Sequence, residues 1–288
     1  MPNEIEDGSL EGPLSSESVL PAGLCIDAHL HVDLYAAEKR EPLLENAFAE
    51  GVAAVVAVSM HLQSSVVNRE IALRYPGRVH PAYGFHPEQP IAAEAELDEL
   101  FTWIRLRHAA GERFAIGEVG LPYYTRTEAE EARAGVSFDE KPYLELLERF
   151  AALAAELDRP IVLHAVYEDA EKACDILEKH GVRRAHFHWF KGSAKTVSRM
   201  AASGYMVSVT PDVAYEEEIQ QLVEQYPLEQ LMVETDGPWP FEGPYASLPT
   251  RPAMAADAAG HIAVIKQQPA WRVAEILLAN TRRFYGII

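Results

Sequence analysis

Cysteine is almost absent from this chain: Cys25 and Cys174 are its only two. The first falls in an apolar strand-like run and the second in a helical pattern. No disulfide framework organises such a fold, and both residues read as apolar filler in a reducing interior. Basic residues are also scarce, with 25 Lys and Arg against 44 Asp and Glu and a formal net charge of −19. Such a field repels nucleic acid, anionic membranes and other polyanions, which excludes extended electrostatic tracking of duplex DNA. A phosphate drawn to a dication inside a pocket stays compatible with it. No apolar run approaches the roughly 20 residues of a membrane helix. Residues 1–22 carry Glu4, Glu6, Asp7 and Glu11 among Gly, Ser and Pro, not the basic and apolar regions of a signal peptide. The expectation is an acidic solvated tail over 1–23, one domain over 24–288, and a cytoplasmic protein. Missing too is a Gly-x-Gly-x-x-Gly after the first strand, the phosphate-binding turn of a doubly wound sheet.

What is present is enough apolar residue, 48%, to bury a full core in one α/β unit. Apolar runs recur at Cys25 to Val32, Val52 to Ser59, Val79 to Phe85, Arg113 to Gly120, Pro160 to Val166, Arg184 to Phe190, Tyr205 to Thr210 and Leu231 to Asp236. The unbroken apolarity of Val52 to Val58 suits a parallel strand covered on both faces. Between the runs lie one-sided helical stripes, such as Leu97, Leu100, Phe101 and Ile104, or Val197, Met200 and Ala201 behind the N-cap Ser193. Eight strand-helix alternations predict a (β/α)8 TIM barrel, whose C-terminal face carries the chemistry. Thr125 to Ser137 interrupts the cycle as a polar insertion, either a lid or a loop.

The polar residues at the strand ends form the informative pattern. His29 and His31 are two apart on the first strand and therefore share a face. Alone, such a pair reads as one satisfied core histidine and one surface histidine. However, later strands end in His86, Glu118, His164, His188 and Asp236, and a closed barrel aims all of them at one pocket. A carboxylate at the end of an apolar strand is costly to desolvate without a cation or hydrogen-bond partner. Imidazole with carboxylate suits zinc, manganese or iron, and a carboxylate can bridge two ions. Two metals clamp the attacking and leaving oxygens of an ester, so the expected reaction class is hydrolysis.

The set Asp27-x-His29-x-His31, Gly84-Phe85-His86-Pro87, Gly117-Glu118-Val119-Gly120-Leu121, Pro160 to His164, His188-Trp189-Phe190-Lys191-Gly192 and Glu234-Thr235-Asp236-Gly237-Pro238 resembles the TatD family of metal-dependent hydrolases, in the amidohydrolase superfamily. The resemblance runs from Leu24 to Phe284, with Asn280 and Phe284 similar to the family's ending. It implies two divalent ions, Zn, Mn, Mg or Fe, with His29, His31 and Asp236 on one, His164 and His188 on the other, and Glu118 bridging. It further implies that Asp236 acts as the base toward water and that His86 contacts substrate or donates a proton. Asp27 is placed to orient a ligand histidine. The chain departs from the family pattern at Pro122, at Phe150 and at Val166, where aspartate, glutamine and arginine are common.

Other residues carry weaker readings. Lys191, Trp189, Tyr123, Tyr124, Arg126 and Trp239 either line the pocket or pack the barrel top. His186 shares a strand face with His188 and reads as packed or hydrogen-bonded, and Glu234 as an outer partner or a satisfied structural acid. His61, His80, His108, His180 and His261 read as surface residues. The leading expectation is a phosphodiesterase of the TatD nuclease type acting on small or single-stranded phosphodiester substrates. The alternatives are a hydrolase of a small ester, lactone, amide or phosphotriester with the same metals, and a non-catalytic metal-binding barrel. Nothing in the pattern speaks to oligomeric state.

Overall fold

A computed structural model describes residues 25–132 and 137–288. The expected acidic tail lies outside the described residues, as do positions 133–136 of the polar insertion. Eight parallel strands follow one another in chain order around the sheet: β1 Cys25–Leu30, β2 Val52–Ala57, β3 Val79–Tyr83, β4 Ala115–Gly120, β5 Ile161–His164, β6 Ala185–Phe187, β7 Met206–Val209 and β8 Leu231–Val233. All seven sequential pairings are parallel. At their C-terminal ends the first and last strands are joined as well. Asp236 N–H donates to the His29 carbonyl at 2.9 Å, and His31 N–H donates to the Gly237 carbonyl at 2.9 Å. The expected TIM barrel is the observed fold.

The helices alternate with the strands: α1 Ala37–Ala49, α2 Leu62–Arg74, α3 Glu94–Ala109, α4 Tyr123–Ala132, α5 Lys141–Glu156, α6 Asp169–Lys179, α7 Ala194–Ala202, α8 Glu217–Gln225, α9 Ala255–Ile265 and α10 Ala270–Tyr285. Their apolar stripes bury against the outer face of the sheet. On α5, for example, Leu147, Phe150, Ala151 and Ala154 are all buried, and the Phe150 ring stacks on Phe101 of α3 at 4.6 Å. Phe150 is thus helix-packing core, remote in role from the strand ends. The Ser193 cap forms as expected, its hydroxyl accepting from Thr196 N–H at 3.2 Å. At the chain's end, α10 brings Phe284 against Ala28, Met206 and Met232, and Tyr285 against the same cluster and a neighbouring one of small strand residues.

Two expectations change. Residues 125–132 of the polar insertion, expected as a lid or a loop, belong to helix α4, none of whose residues is buried. With no apolar stripe, the segment carries no helical signal in its pattern; its Glu and Ala content permits a helix, and a partner elsewhere in the chain nucleates it, as described below. His261 is the other correction. Expected at the surface, it is 3% exposed on α9, where burial lowers its basicity. Among the described residues no helix is long and apolar enough to cross a membrane.

Candidate metal centre

The strand ends converge on Glu118 of β4. Its two oxygens are divided between two groups of imidazoles. Oε2 lies 3.0 Å from His29 Nε2 and 3.0 Å from His31 Nε2. Oε1 lies 2.8 Å from His188 Nε2, 3.1 Å from His164 Nδ1 and 3.3 Å from His86 Nε2. Asp236 joins the first group, its Oδ1 3.4 Å from His29 and 3.5 Å from His31. The structure therefore brings together every residue named from the strand ends: His29, His31, His86, Glu118, His164, His188 and Asp236.

Close backbone approach makes room for this. A Cβ on Gly120 would stand 1.8 Å from the His164 carbonyl oxygen, and one on Gly84 would stand 2.5 Å from the Glu118 carbonyl oxygen. Glycine on either side of the cluster lets β3, β4 and β5 present their ends side by side. Asp236 takes a left-handed backbone, φ 49°, and so does Trp189 after His188, φ 37°. Strain of this kind persists where surrounding contacts hold it.

Charge at the centre is strongly perturbed. Burial alone would push the Glu118 carboxyl up, yet the imidazoles of His86, His188 and His29 outweigh it and hold the group well below the ordinary carboxylate range. Burial pushes Asp236 the other way, up to about 7. It also takes His29 well below the usual histidine value, with the nearby His188 adding to the effect. Asp236 Oδ1 is buried without a hydrogen-bond partner among the described residues, as are the Nδ1 atoms of His29, His31 and His188. Lone pairs of several imidazoles and two carboxylates thus face one another at short range with too few hydrogens between them. That donor set suits divalent cations, and the sets His29, His31, Glu118 and His86, Glu118, His164 each fall within one ion's reach.

His86 differs from the other imidazoles. Its Nδ1 accepts the Glu88 N–H at 3.1 Å. A neutral ring so bound carries its proton on Nε2, which points at Glu118 and the cavity and leaves that nitrogen a donor.

Several outer residues depart from the expected arrangement. Asp27 reaches no histidine ring. It accepts from the backbone N–H of Thr235 at 3.0 Å and of His29 at 3.3 Å, and from the Thr235 hydroxyl, so it ties β1 to the segment after β8. His186 is hydrogen-bonded, and Glu234 accepts from Trp189 N–H at 2.7 Å and from the Ser208 hydroxyl. Each oxygen of Glu234 already accepts a hydrogen bond, and Glu234 also falls within one ion's reach together with His29 and His188.

Glu88 was not legible. It sits two residues past His86, and its Oε1 accepts from Tyr124 N–H at 2.9 Å and its Oε2 from Thr125 N–H at 2.7 Å. The carboxylate satisfies the open N–H groups at the start of α4 and meets the positive end of its dipole. The same Oε1 lies 3.2 Å from His164 Nε2. Burial opposes its ionisation, but hydrogen bonds with His164 and Thr125 draw the carboxyl down to about 2. The one available signal was a carboxylate immediately beyond the His-Pro pair.

Above the cluster opens a cavity of about 530 Å³, with His86, His164, His188 and Asp236 in its lining and Glu88, Thr125 and Glu128 beside them. Tyr124, Val166, Trp189, Lys191, Trp239 and Pro240 complete the walls, whereas Tyr123, Arg126 and Pro122 do not line it. Arg126 instead pairs with Glu168 at 2.8 Å and Asp169 at 3.0 Å and lies over the Tyr123 ring, pinning α4 to α6.

Comparison with known proteins agrees with this geometry. The profile of the family described as "TatD related DNase" matches residues 26–286. A protein of Haemophilus influenzae named as an uncharacterized metal-dependent hydrolase is 36% identical over 264 residues, covering 92% of this chain and all of the relative. A human protein named deoxyribonuclease TATDN3 is 27% identical over 266 residues, covering 90% of this chain and 94% of the relative. Among solved structures, the TatD homologue YjjV of Escherichia coli superposes with a TM-score of 0.80 at 24% identity, over 92% of this chain and 99% of that one, and shares the fold.

Proposed function

The chain belongs to the TatD-related family of metal-dependent hydrolases, and on that premise we propose that it cleaves phosphodiester bonds with two divalent ions, Mn, Mg, Zn or Fe. His29, His31 and Asp236 would hold one, His164 and His188 the other, and Glu118 both. The observation that carries this reading is the division of the Glu118 carboxylate, one oxygen toward His29 and His31 at 3.0 Å and the other toward His188 and His164 at 2.8 and 3.1 Å. Divalent ions so held supply Lewis acidity toward a phosphoryl oxygen and an acidified water.

The chain's own groups do the rest. Asp236, whose Oδ1 has no hydrogen-bond partner among the described residues, accepts the proton of the attacking water. His86, with its proton on Nε2, contacts the phosphoryl group or protonates the departing oxygen. Tyr124 and Trp239, 45% and 46% exposed at the cavity wall, offer faces on which bases of a single strand stack. Lys191 lines the same cavity as the acids Glu88 and Glu128 and pairs with Glu216 at 3.7 Å, a mixed charge that favours a short or single-stranded end over a duplex. The relatives named deoxyribonucleases point to the same substrate class.

End-labelled single-stranded DNA incubated with Mn2+ or Mg2+ tests the proposal, with Asp236→Asn as the control. Stepwise shortening that falls about 10²–10⁴-fold in the variant, with its fold intact, is expected; equal cleavage by both proteins sinks it. The size and mixed charge of the cavity favour one second reading, hydrolysis of a small ester, lactone, amide or phosphotriester. A panel of chromogenic esters and phosphodiesters separates the two.

A further inference from the structure

A line of buried polar side chains runs from the last helix to the metal centre, and the activity proposed above makes no use of it. Tyr285, the final residue of α10, has its hydroxyl 2.6 Å from His186 Nδ1. His186 Nε2 lies 2.5 Å from Ser208 Oγ on β7, and the Ser208 hydroxyl bonds Glu234. The other oxygen of Glu234 accepts Trp189 N–H at 2.7 Å and stands 3.7 Å from His188 Nδ1, beyond hydrogen-bond length, and that nitrogen has no hydrogen-bond partner among the described residues. His186 and Glu234 are fully buried and Ser208 is 1% exposed.

One assignment of hydrogens satisfies the whole line. A carboxylate only accepts, so Ser208 O–H donates to Glu234 and its oxygen is left to accept His186 Nε2–H. A neutral imidazole protonated at Nε2 has a bare Nδ1, which takes the Tyr285 O–H. Every donor therefore points toward Glu234, and the anion at the end faces the far nitrogen of His188. An apolar filling of this space would avoid desolvating four polar groups, so the line calls for a purpose that packing does not supply.

We propose that Tyr285, His186, Ser208 and Glu234 act as a positioning relay for His188. The Glu234 carboxylate they orient faces Nδ1 and electrostatically favours the proton on that nitrogen, so that the Nε2 lone pair would be presented toward an ion held with Glu118. This inference rests on the metal-centre reading. Outer partners of this kind typically change metal affinity about 10–100-fold when removed. The relay extends that influence to the C-terminal helix.

The test is Mn2+ binding by the full chain after metal removal, followed calorimetrically, with Co2+ absorption as a report on ligand geometry. Ser208→Ala should weaken one binding step about tenfold and shift the Co2+ spectrum, Ser208→Thr should restore both, and Tyr285→Phe should weaken the same step by less. Because the members act in series, adding Tyr285→Phe to Ser208→Ala should change nothing further in Mn2+ affinity. Wild-type affinity and an unchanged Co2+ spectrum in Ser208→Ala overturn the proposal, and so do effects of the two substitutions that simply add. A wild-type protein that takes up no Mn2+ overturns the metal-centre reading, and this inference with it.

Discussion

The two halves of the centre are built differently. His29 and His31 come from a single strand, two residues apart, with ring centroids 5.2 Å apart. Their far nitrogens have no partner among the described residues, and the anchor is Asp27, which acts on backbone N–H groups. His164 and His188 come from different strand ends: His164 Nε2 lies 3.2 Å from Glu88, whereas His188 Nδ1 has no hydrogen-bond partner among the described residues and has the Glu234 carboxylate 3.7 Å away. The lesson is one of geometry. Strand alternation orients a His-x-His pair once the backbone is held, whereas a lone imidazole at a strand end keeps its ring torsion free. Such a ring needs a side-chain partner, and the partner must come from elsewhere in the fold.

The largest effect is expected where the halves meet. Glu118→Gln removes the anion common to both, so metal content measured by elemental analysis should fall in both halves together and hydrolysis should drop below detection. Loss of one ion with the other retained would break the view of Glu118 as their common ligand.

Next in size is Glu88→Gln, which touches the His164 half alone. Metal affinity of one step should fall about 10–100-fold, and amide exchange across α4 should rise, because its first N–H groups lose a charged acceptor. The acid limb sharpens this test. Glu88 has its folded-state carboxyl lowered to about 2 from an ordinary 4.5, so it contributes stability that is complete above pH ~4.5 and is lost as pH falls toward ~2. Acid unfolding of the variant should be shallower over that window. A superimposable acid limb would show that Glu88 is not held as described.

The smallest effect is expected in the first half. Asp27→Ala leaves the Thr235 and His29 N–H groups unpaired, and urea unfolding should register a loss of about 1–3 kcal/mol. The binding step that depends on Glu88 should be untouched. If Asp27→Ala instead weakens that step, the halves are not separable.

Legibility followed the same division. His29, His31, Glu118, His164, His188 and Asp236 were readable because each is a lone-pair donor at the end of an apolar run, where a bare polar group is expensive. His86 was readable for the same reason, and the hydrogen bond that its Nδ1 accepts from Glu88 N–H became visible only in the fold. Tyr123 and Arg126 read equally as pocket lining or as barrel-top packing, and neither lines the cavity: Arg126 pairs with Glu168 and Asp169 and lies over the Tyr123 ring. His186 read as packed or hydrogen-bonded, but its partner Tyr285, 99 positions away, was beyond any local pattern. His261 belongs to the same class, because its neighbours on α9 and the strands decide its burial.

The sequence by itself determined the barrel and the inventory of candidate metal-ligating residues. Period-two and period-3.6 patterns are local, and so is the cost of placing a carboxylate or imidazole beside apolar residues. Only the tertiary structure decided which nitrogen of each imidazole faces the centre, that α4 is a helix capped by Glu88, and that Tyr285 reaches Glu234 through His186 and Ser208. Those outcomes rest on hydrogen bonds between residues tens to hundreds of positions apart, and such bonds leave no trace in local periodicity.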